Sequence, residues 1–326
     1  MQFLRINLLC PLLLALPLLG GCSNYKNQIG SDMRFEKIEQ FRAAAEQGDA
    51  EAQFQLGCAY SRHYYYCKKT ESSAPIDKAE GAKWFRKAAE QGHVPAQMAL
   101  GHCYSFGDGV PKDEEEAVNW FREVAEQGHA EGMVALGVAY QYARGITENV
   151  EEAVYWYRKA AELGHQCGML ALGGCYFNGE GVPEDKTEAV KWFRLSAEQD
   201  NHFAQYELGK CYYNGEGVPQ DKAEAIKWYR KADTWIEARF ALIRCYLEDE
   251  LVFDEAERQE RLEGLRWIVQ SAANYDSDSD WSMKMVTQAA ELLREMDAIE
   301  NRHPGASRDP DIACDAGSSG FRLSPE

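Results

Sequence analysis

GEGVPQDKAEAIKWYRKA occupies residues 215–232, and near copies of it stand upstream. After Tyr104 the chain reads SFGDGVPKD, after Tyr176 FNGEGVPED and after Tyr212 YNGEGVPQD. Around these phrases tryptophans fall at 84, 120, 156, 192 and 228, always 36 apart. Tyrosines fall at 60, 104, 140, 176, 212 and 246, spaced 44, 36, 36, 36 and 34. Two aromatic columns with one shared period mark an array of stacked repeats.

Each unit reads as a turn, a cap and a packing helix. Glycines bend the chain, Val110, Val182 and Val218 seal the corner, and the prolines stop helix from continuing through it. The helix start carries a capping box in the pairs Asp77/Glu80, Asp113/Glu116, Asn149/Glu152, Asp185/Glu188 and Asp221/Glu224. Within EEEAVNWFREVAEQ at 114–127, Ala117, Val118, Phe121 and Ala125 share one face, with Trp120 beside them. Gly48, Gly92, Gly128 and Gly164 stand where a left-handed residue ends the helix. The other helix of each unit carries Leu-Gly-x-x-Tyr, at Leu56, Leu100, Leu136, Leu172 and Leu208. A glycine inside a helix costs about 1 kcal/mol relative to alanine, so close approach of a neighbouring helix is expected at each.

These marks (WFRKAAEQGH, LGxxY and GxGVPxD, repeated in register over about residues 35–273) resemble the Sel1-like repeats, relatives of the tetratricopeptide solenoids. The resemblance implies an all-α, right-handed solenoid of stacked antiparallel helix pairs. About six pairs are expected from Asp49 to about Ala273, with capping helices near 33–47 and 280–298 that bound a solenoid at 33–298. Three units depart from the pattern. SRHYYYCKKTESSAP replaces the first glycine turn at 61–75, ARGITEN at 143–149 lacks proline, and Ile243 replaces the sixth glycine.

The ends read differently. Residues 1–21 have one early charge, Arg5, and an apolar stretch interrupted by Pro11 and Pro17, shorter than the roughly 18 residues a membrane span needs. Leu19-Gly20-Gly21-Cys22 resembles a bacterial lipobox, which implies cleavage before Cys22, lipid on that cysteine and a membrane anchor. Ser23 after Cys22, rather than Asp, places the expected anchor in the inner leaflet of the outer membrane, facing the periplasm. Residues 22–32 then form a tether, and 299–326, rich in Pro, Ser, Gly and Asp, a disordered tail.

A formal net charge of -18 repels phosphate backbones, so nucleic acid is not an expected partner. Apart from Cys10 and Cys22, eight of the ten cysteines remain. Cys103, Cys175, Cys211 and Cys245 each precede a column tyrosine, a small-residue packing position taken elsewhere by Ala59 and Ala139. Adjacent layers lie roughly 10 Å apart, beyond the ~7 Å that a disulfide tolerates, which leaves Cys58 and Cys67 as the pair able to bond. His93, His129 and His165 recur where Asp49 and Asn201 stand in other units, which suits helix caps rather than a metal row. No catalytic residues, metal or cofactor are expected. The chain has no H-E-x-x-H, C-x-x-C, G-x-S-x-G or phosphate-loop string, and Ser23-Asn24-Tyr25-Lys26, which matches S-x-x-K, lies in the tether. DSDSD at 276–280 lacks the glycine and final Glu of a calcium loop.

The resemblance to tetratricopeptide solenoids implies a protein or peptide partner in the concave groove lined by the first helix of each pair. Positions two before and one after each column tyrosine are expected to face that groove. They hold Cys58, His102, Val138, Gly174, Lys210 and Arg244, then Ser61, Ser105, Gln141, Phe177, Tyr213 and Leu247. Of these, His102, Gln141, Phe177, Lys210, Tyr213 and Arg244 are the expected contacts, with Lys210 and Arg244 suited to a carboxylate. Two other readings fit the same residues: a cell-wall or β-lactam hydrolase like the cysteine-rich Sel1 relatives, and an architectural lipoprotein.

Overall fold

The computed structural model describes residues 35–61, 77–232 and 235–248, together with 287, 290, 291 and 294 singly. The expected signal, tether and tail, the last capping helix save those four positions, and Cys22, Cys67 and Ser23–Lys26 fall outside these residues. The described residues contain helices and no strands. In chain order the helices are α1 (Phe35–Glu46), α2 (Ala50–Ser61), α3 (Lys78–Ala89), α4 (Val94–Phe106), α5 (Glu114–Glu126) and α6 (Ala130–Gln141). They continue as α7 (Val150–Glu162), α8 (Gln166–Asn178), α9 (Lys186–Ala197), α10 (His202–Asn214), α11 (Lys222–Lys231) and α12 (Ile236–Glu248). The contacts divide the chain into two compact units at Arg239/Phe240. In the first unit, from α1 to α11, each helix packs on the one before and the one after, which is solenoid order.

The helix starts are half of the expected capping box. The side chains of Asp77, Asp113, Asn149, Asp185 and Asp221 accept from the backbone N–H three residues on, at 2.9–3.1 Å. The reciprocal bond from the glutamate is absent, because each cap's own N–H has another partner. It donates to the carbonyl of the preceding column tyrosine, Tyr60, Tyr104, Tyr140, Tyr176 or Tyr212, at 2.9–3.0 Å. Four of the five glutamates accept from other side chains instead. Glu80, Glu188 and Glu224 accept from the lysine three residues on, and Glu116 from Trp120 Nε1. One bond thus caps a helix while the other ties it to the helix before.

The internal glycines do what their cost requires. A Cβ on Gly57, Gly101, Gly137 or Gly209 would lie 2.5 Å from the ring of Phe85, Phe121, Tyr157 or Tyr229, and one on Gly173 2.7 Å from Phe193. The ring that fills the notch is the residue after each tryptophan, and it is more deeply buried than the tryptophan column suggested. Phe85, Tyr157, Phe193 and Tyr229 are at most 2% exposed, whereas Trp120, Trp156 and Trp192 are half-buried. Nε1 of Trp84, Trp156, Trp192 and Trp228 is buried and has no hydrogen-bond partner.

The second glycine of each turn locks one layer to the previous one. Gly109, Gly145, Gly181 and Gly217 have φ between 65 and 75°, in the left-handed region. Each presses its α-carbon against the first residue of the preceding tryptophan helix: Lys78, Glu114, Val150 or Lys186. The ARGITEN turn keeps this contact through Gly145, and Ala143 takes the other positive φ, at 52°, without glycine's help.

Candidate functional site

The candidate face is carried by the Leu-Gly-x-x-Tyr helices, and its positions differ in character from layer to layer. His102 on α4 is 9% exposed, its ring 6.1 Å from Phe106 and 5.2 Å from Phe121. Cys58 and Gly174 are likewise buried, so three of the positions two before the tyrosine belong to the packed interior. The expectation that all of these are non-core fails because the following tryptophan helix closes over them. Lys210 on α10 does reach the surface in part, but its charge is already matched. Its Nζ is 2.8 Å from Glu207 Oε2 and 5.3 Å from the centre of the Tyr206 ring. Burial works against the ammonium charge, and the Glu207 carboxylate more than offsets it, so the pKa of Lys210 is raised.

Of the positions one after the tyrosine, Ser61 is buried, Ser105, Gln141, Phe177 and Tyr213 are half-buried, and the Leu247 side chain falls outside the described residues. Gln141 accepts from the Tyr157 hydroxyl at 2.8 Å and donates to Glu180 of the next turn at 2.8 Å. Phe177 lies 5.0 Å beneath Lys186 Nζ, and Tyr213 5.7 Å beneath Lys222 Nζ. Lys186 in turn pairs with Glu216 at 2.8 Å. Phe177 and Tyr212 pack on one core cluster with Leu208 and Cys211, while the Arg244 side chain falls outside the described residues.

The cysteines split into two kinds. Cys58 is disulfide-bonded and buried; Cys67, its expected partner, falls outside the described residues. Cys103, Cys167, Cys175, Cys211 and Cys245 carry no disulfide and are buried. Burial pushes the thiols of Cys103, Cys175 and Cys211 up to about 12, which keeps them protonated and unreactive. Among the described residues no group of three or more His, Cys, Asp or Glu side chains is placed to hold a metal ion.

Two of the three column histidines are helix caps. His93 Nδ1 accepts from Ala96 N at 3.3 Å and His165 Nδ1 from Gly168 N at 3.4 Å, while His129 makes no such bond. Asp49 and Asn201 cap in the same place. A histidine caps only through an unprotonated Nδ1, so the proton sits on Nε2. In His93 that atom meets Glu51 at 3.0 Å, a bond that holds the Glu51 carboxyl below its usual range. In His165 it is buried without a partner, and burial lowers the pKa to about 4. A folded-state pKa below the unfolded value means stability that is complete above about pH 6.5 and lost as pH falls toward 4. His165→Asn, which copies the Asn201 cap, should leave stability at pH 7.5 nearly unchanged and reduce the loss at pH 4.5. Urea midpoints at the two pH values measure this, and identical pH dependence in both proteins would refute the cap's titration.

Sequence reasoning missed two functional columns that it had the signal to find. The aromatic after each tryptophan shares the period of 36 and fills the glycine notch. The arginine two after each tryptophan shares it too, and Arg86, Arg158 and Arg194 each reach a column tyrosine hydroxyl, as Arg42 does ahead of them.

Consecutive helix pairs, glycine-locked turns and caps in register define a protein of the helix-pair repeat class. Sel1 repeat models match residues 50–93, 94–129, 130–165, 168–201 and 202–232. The chain belongs to the Sel1 repeat family, whose solenoids commonly mediate protein–protein interaction. Among solved structures it is similar to a Sel1 repeat protein from Oxalobacter formigenes, with 30% identity, 70% of this chain and 92% of that one covered, and a TM-score of 0.59. It also matches c5321, a protective antigen present in uropathogenic Escherichia coli strains and displaying an SLR fold, at 26% identity over 82% of this chain and 68% of that one, TM-score 0.47. Helicobacter pylori cysteine rich protein B matches at 25% identity over 37% of this chain and 86% of that one, TM-score 0.31. No curated protein is significantly similar to the chain.

Proposed function

We propose that this protein is an envelope-anchored interaction scaffold that binds a protein or peptide partner on the face carried by its Leu-Gly-x-x-Tyr helices, with a binding rather than a catalytic role. The observation that carries the reading is a contrast within one chain. Caps and glycine notches repeat in five successive layers and the turn contact in four of them, while the surface beside the column tyrosines changes from Gln141 to Phe177 to Tyr213. A uniform scaffold with a non-uniform face is what selective binding to an extended partner requires.

The anchor in this proposal is Cys22, carrying lipid after cleavage of residues 1–21, at the inner leaflet of the outer membrane. The disulfide at Cys58 supports an oxidising compartment such as the periplasm. Cys22→Ala should abolish incorporation of labelled palmitate and move the protein from the membrane to the soluble fraction. Membrane association and labelling unchanged in that variant would remove the anchor from the proposal. Crosslinking in intact cells tests the scaffold itself: a specific partner, captured reproducibly, is the expected result, and turnover of a chromogenic β-lactam by the purified protein would replace the reading with a hydrolase.

A further inference from the structure

One surface hydrogen bond recurs along the first unit. Arg42, Arg86, Arg158 and Arg194 each donate to the hydroxyl of the tyrosine eighteen residues on, namely Tyr60, Tyr104, Tyr176 and Tyr212. The middle layer holds the same pair at the same spacing, Arg122 and Tyr140, and the bond is not made. Arg122 turns to Asn119 Oδ1 at 3.4 Å, and the Tyr140 hydroxyl has no partner among the described residues.

The same layer departs from the others in its turn. Asp108, Glu180 and Glu216 hang from the residue before a column tyrosine by a backbone N–H bond to Cys103, Cys175 or Cys211. Arg144 hangs in that place from Ala139, at 3.0 Å. Asp108 and Glu216 pair with Lys78 and Lys186, the first residues of the preceding tryptophan helices. At the matching position α5 begins with Glu114, whose carboxylate is 2.7 Å from Lys112, and the Arg144 guanidinium has no bonded partner among the described residues. Gly145 packs against Glu114, so Arg144 is held to the start of the helix that carries Arg122 two turns further on, on the same face.

We propose that this open rung, Arg122, Tyr140 and Arg144, binds the carboxylates of an acidic peptide segment in the partner protein. The other described glycine turns carry a carboxylate at this position, Asp108, Glu180 or Glu216; here the turn carries the Arg144 guanidinium, and the nearby Glu114 carboxylate is taken by Lys112, which leaves the guanidinium to the guest. Arginine forks take carboxylates in bidentate fashion, and a phenol hydroxyl adds one more donor. The inference rests on the scaffold reading above and names the partner's chemistry.

The probe is a fluorescein-labelled, C-terminally amidated peptide of alternating Glu and Gly, titrated by anisotropy into the full-length protein at low salt. Saturable binding is expected, weakened about tenfold or more by R122Q/R144Q and weakening as salt rises. E114K/R144E gives this layer the polarity of Lys78–Asp108 and should lose the peptide while keeping the wild-type unfolding midpoint. No saturable binding to wild type, undiminished binding to both variants, or equal affinity for free glutamate would each overturn the site. Crosslinking in cells separates this failure from the larger one. A partner captured equally by wild type and E114K/R144E would overturn the open rung and leave the scaffold standing; capture by neither would overturn both.

Discussion

Gly145→Ala is expected to cost about 3 kcal/mol of stability, from two independent sources. Its φ of 65° lies in the left-handed region, where an L side chain costs roughly 1–2 kcal/mol. The new methyl would also fall on the carbonyl of Glu114, and forcing a group into a packed contact costs roughly 1–3 kcal/mol more. Gly164→Ala is the internal control. Its φ is 81°, yet nothing lies within 4 Å of the added carbon, so only the backbone cost of about 1 kcal/mol remains. Denaturant unfolding of the two variants reads out the layer-to-layer contact directly. Equal losses would show that the turn glycine serves conformation alone and that the stacking of layers does not depend on it.

Tyr157→Ala should be the most damaging large-to-small change in the middle of the first unit, at about 3–5 kcal/mol. The ring is fully buried, it fills the notch over Gly137, and its hydroxyl donates to Gln141. Truncation leaves a cavity between α6 and α7 and removes the donor from Gln141, which also ties this layer to Glu180. Trp156→Ala, the substitution that the tryptophan column singles out, should cost less, because Trp156 is half-buried and its Nε1 bonds to nothing. Because each helix packs chiefly on its sequence neighbours, the damage should stay local. Hydrogen exchange should accelerate in α6 and α7 and much less in α2 and α10. A larger loss from Trp156→Ala, or uniform acceleration along the unit, would contradict the packing described above.

Much of the fold was legible because its parts are local. A glycine turn, an Asp or Asn cap and an amphipathic helix are each settled within about a dozen residues, and a fixed period fixes their order in space. The site was less legible. The groove positions were counted from the column tyrosine, but burial of Cys58 and His102 depends on the helix that follows each one. The pairing of Lys210 with Glu207 depends on rotamers, which a repeat alignment does not contain. The capping box shows the same limit: Asp113 and Glu116 stand at the right spacing, yet the cap's N–H goes to the carbonyl of Tyr104, nine residues earlier.

The amino-acid sequence by itself determined that this chain is a helical array with a period of 36, where its helices begin and end, and why a glycine must sit in one helix of each pair. Those features follow from backbone preferences and from the need of each layer to bury one apolar face. Only the tertiary structure decided which aromatic ring enters each glycine notch, that the cap ties two helices together, and that one Arg–Tyr rung stands open beside Arg144. Those outcomes turn on ångström-scale contacts between residues far apart in the chain, where identical residue types make different bonds according to the charge of a neighbour.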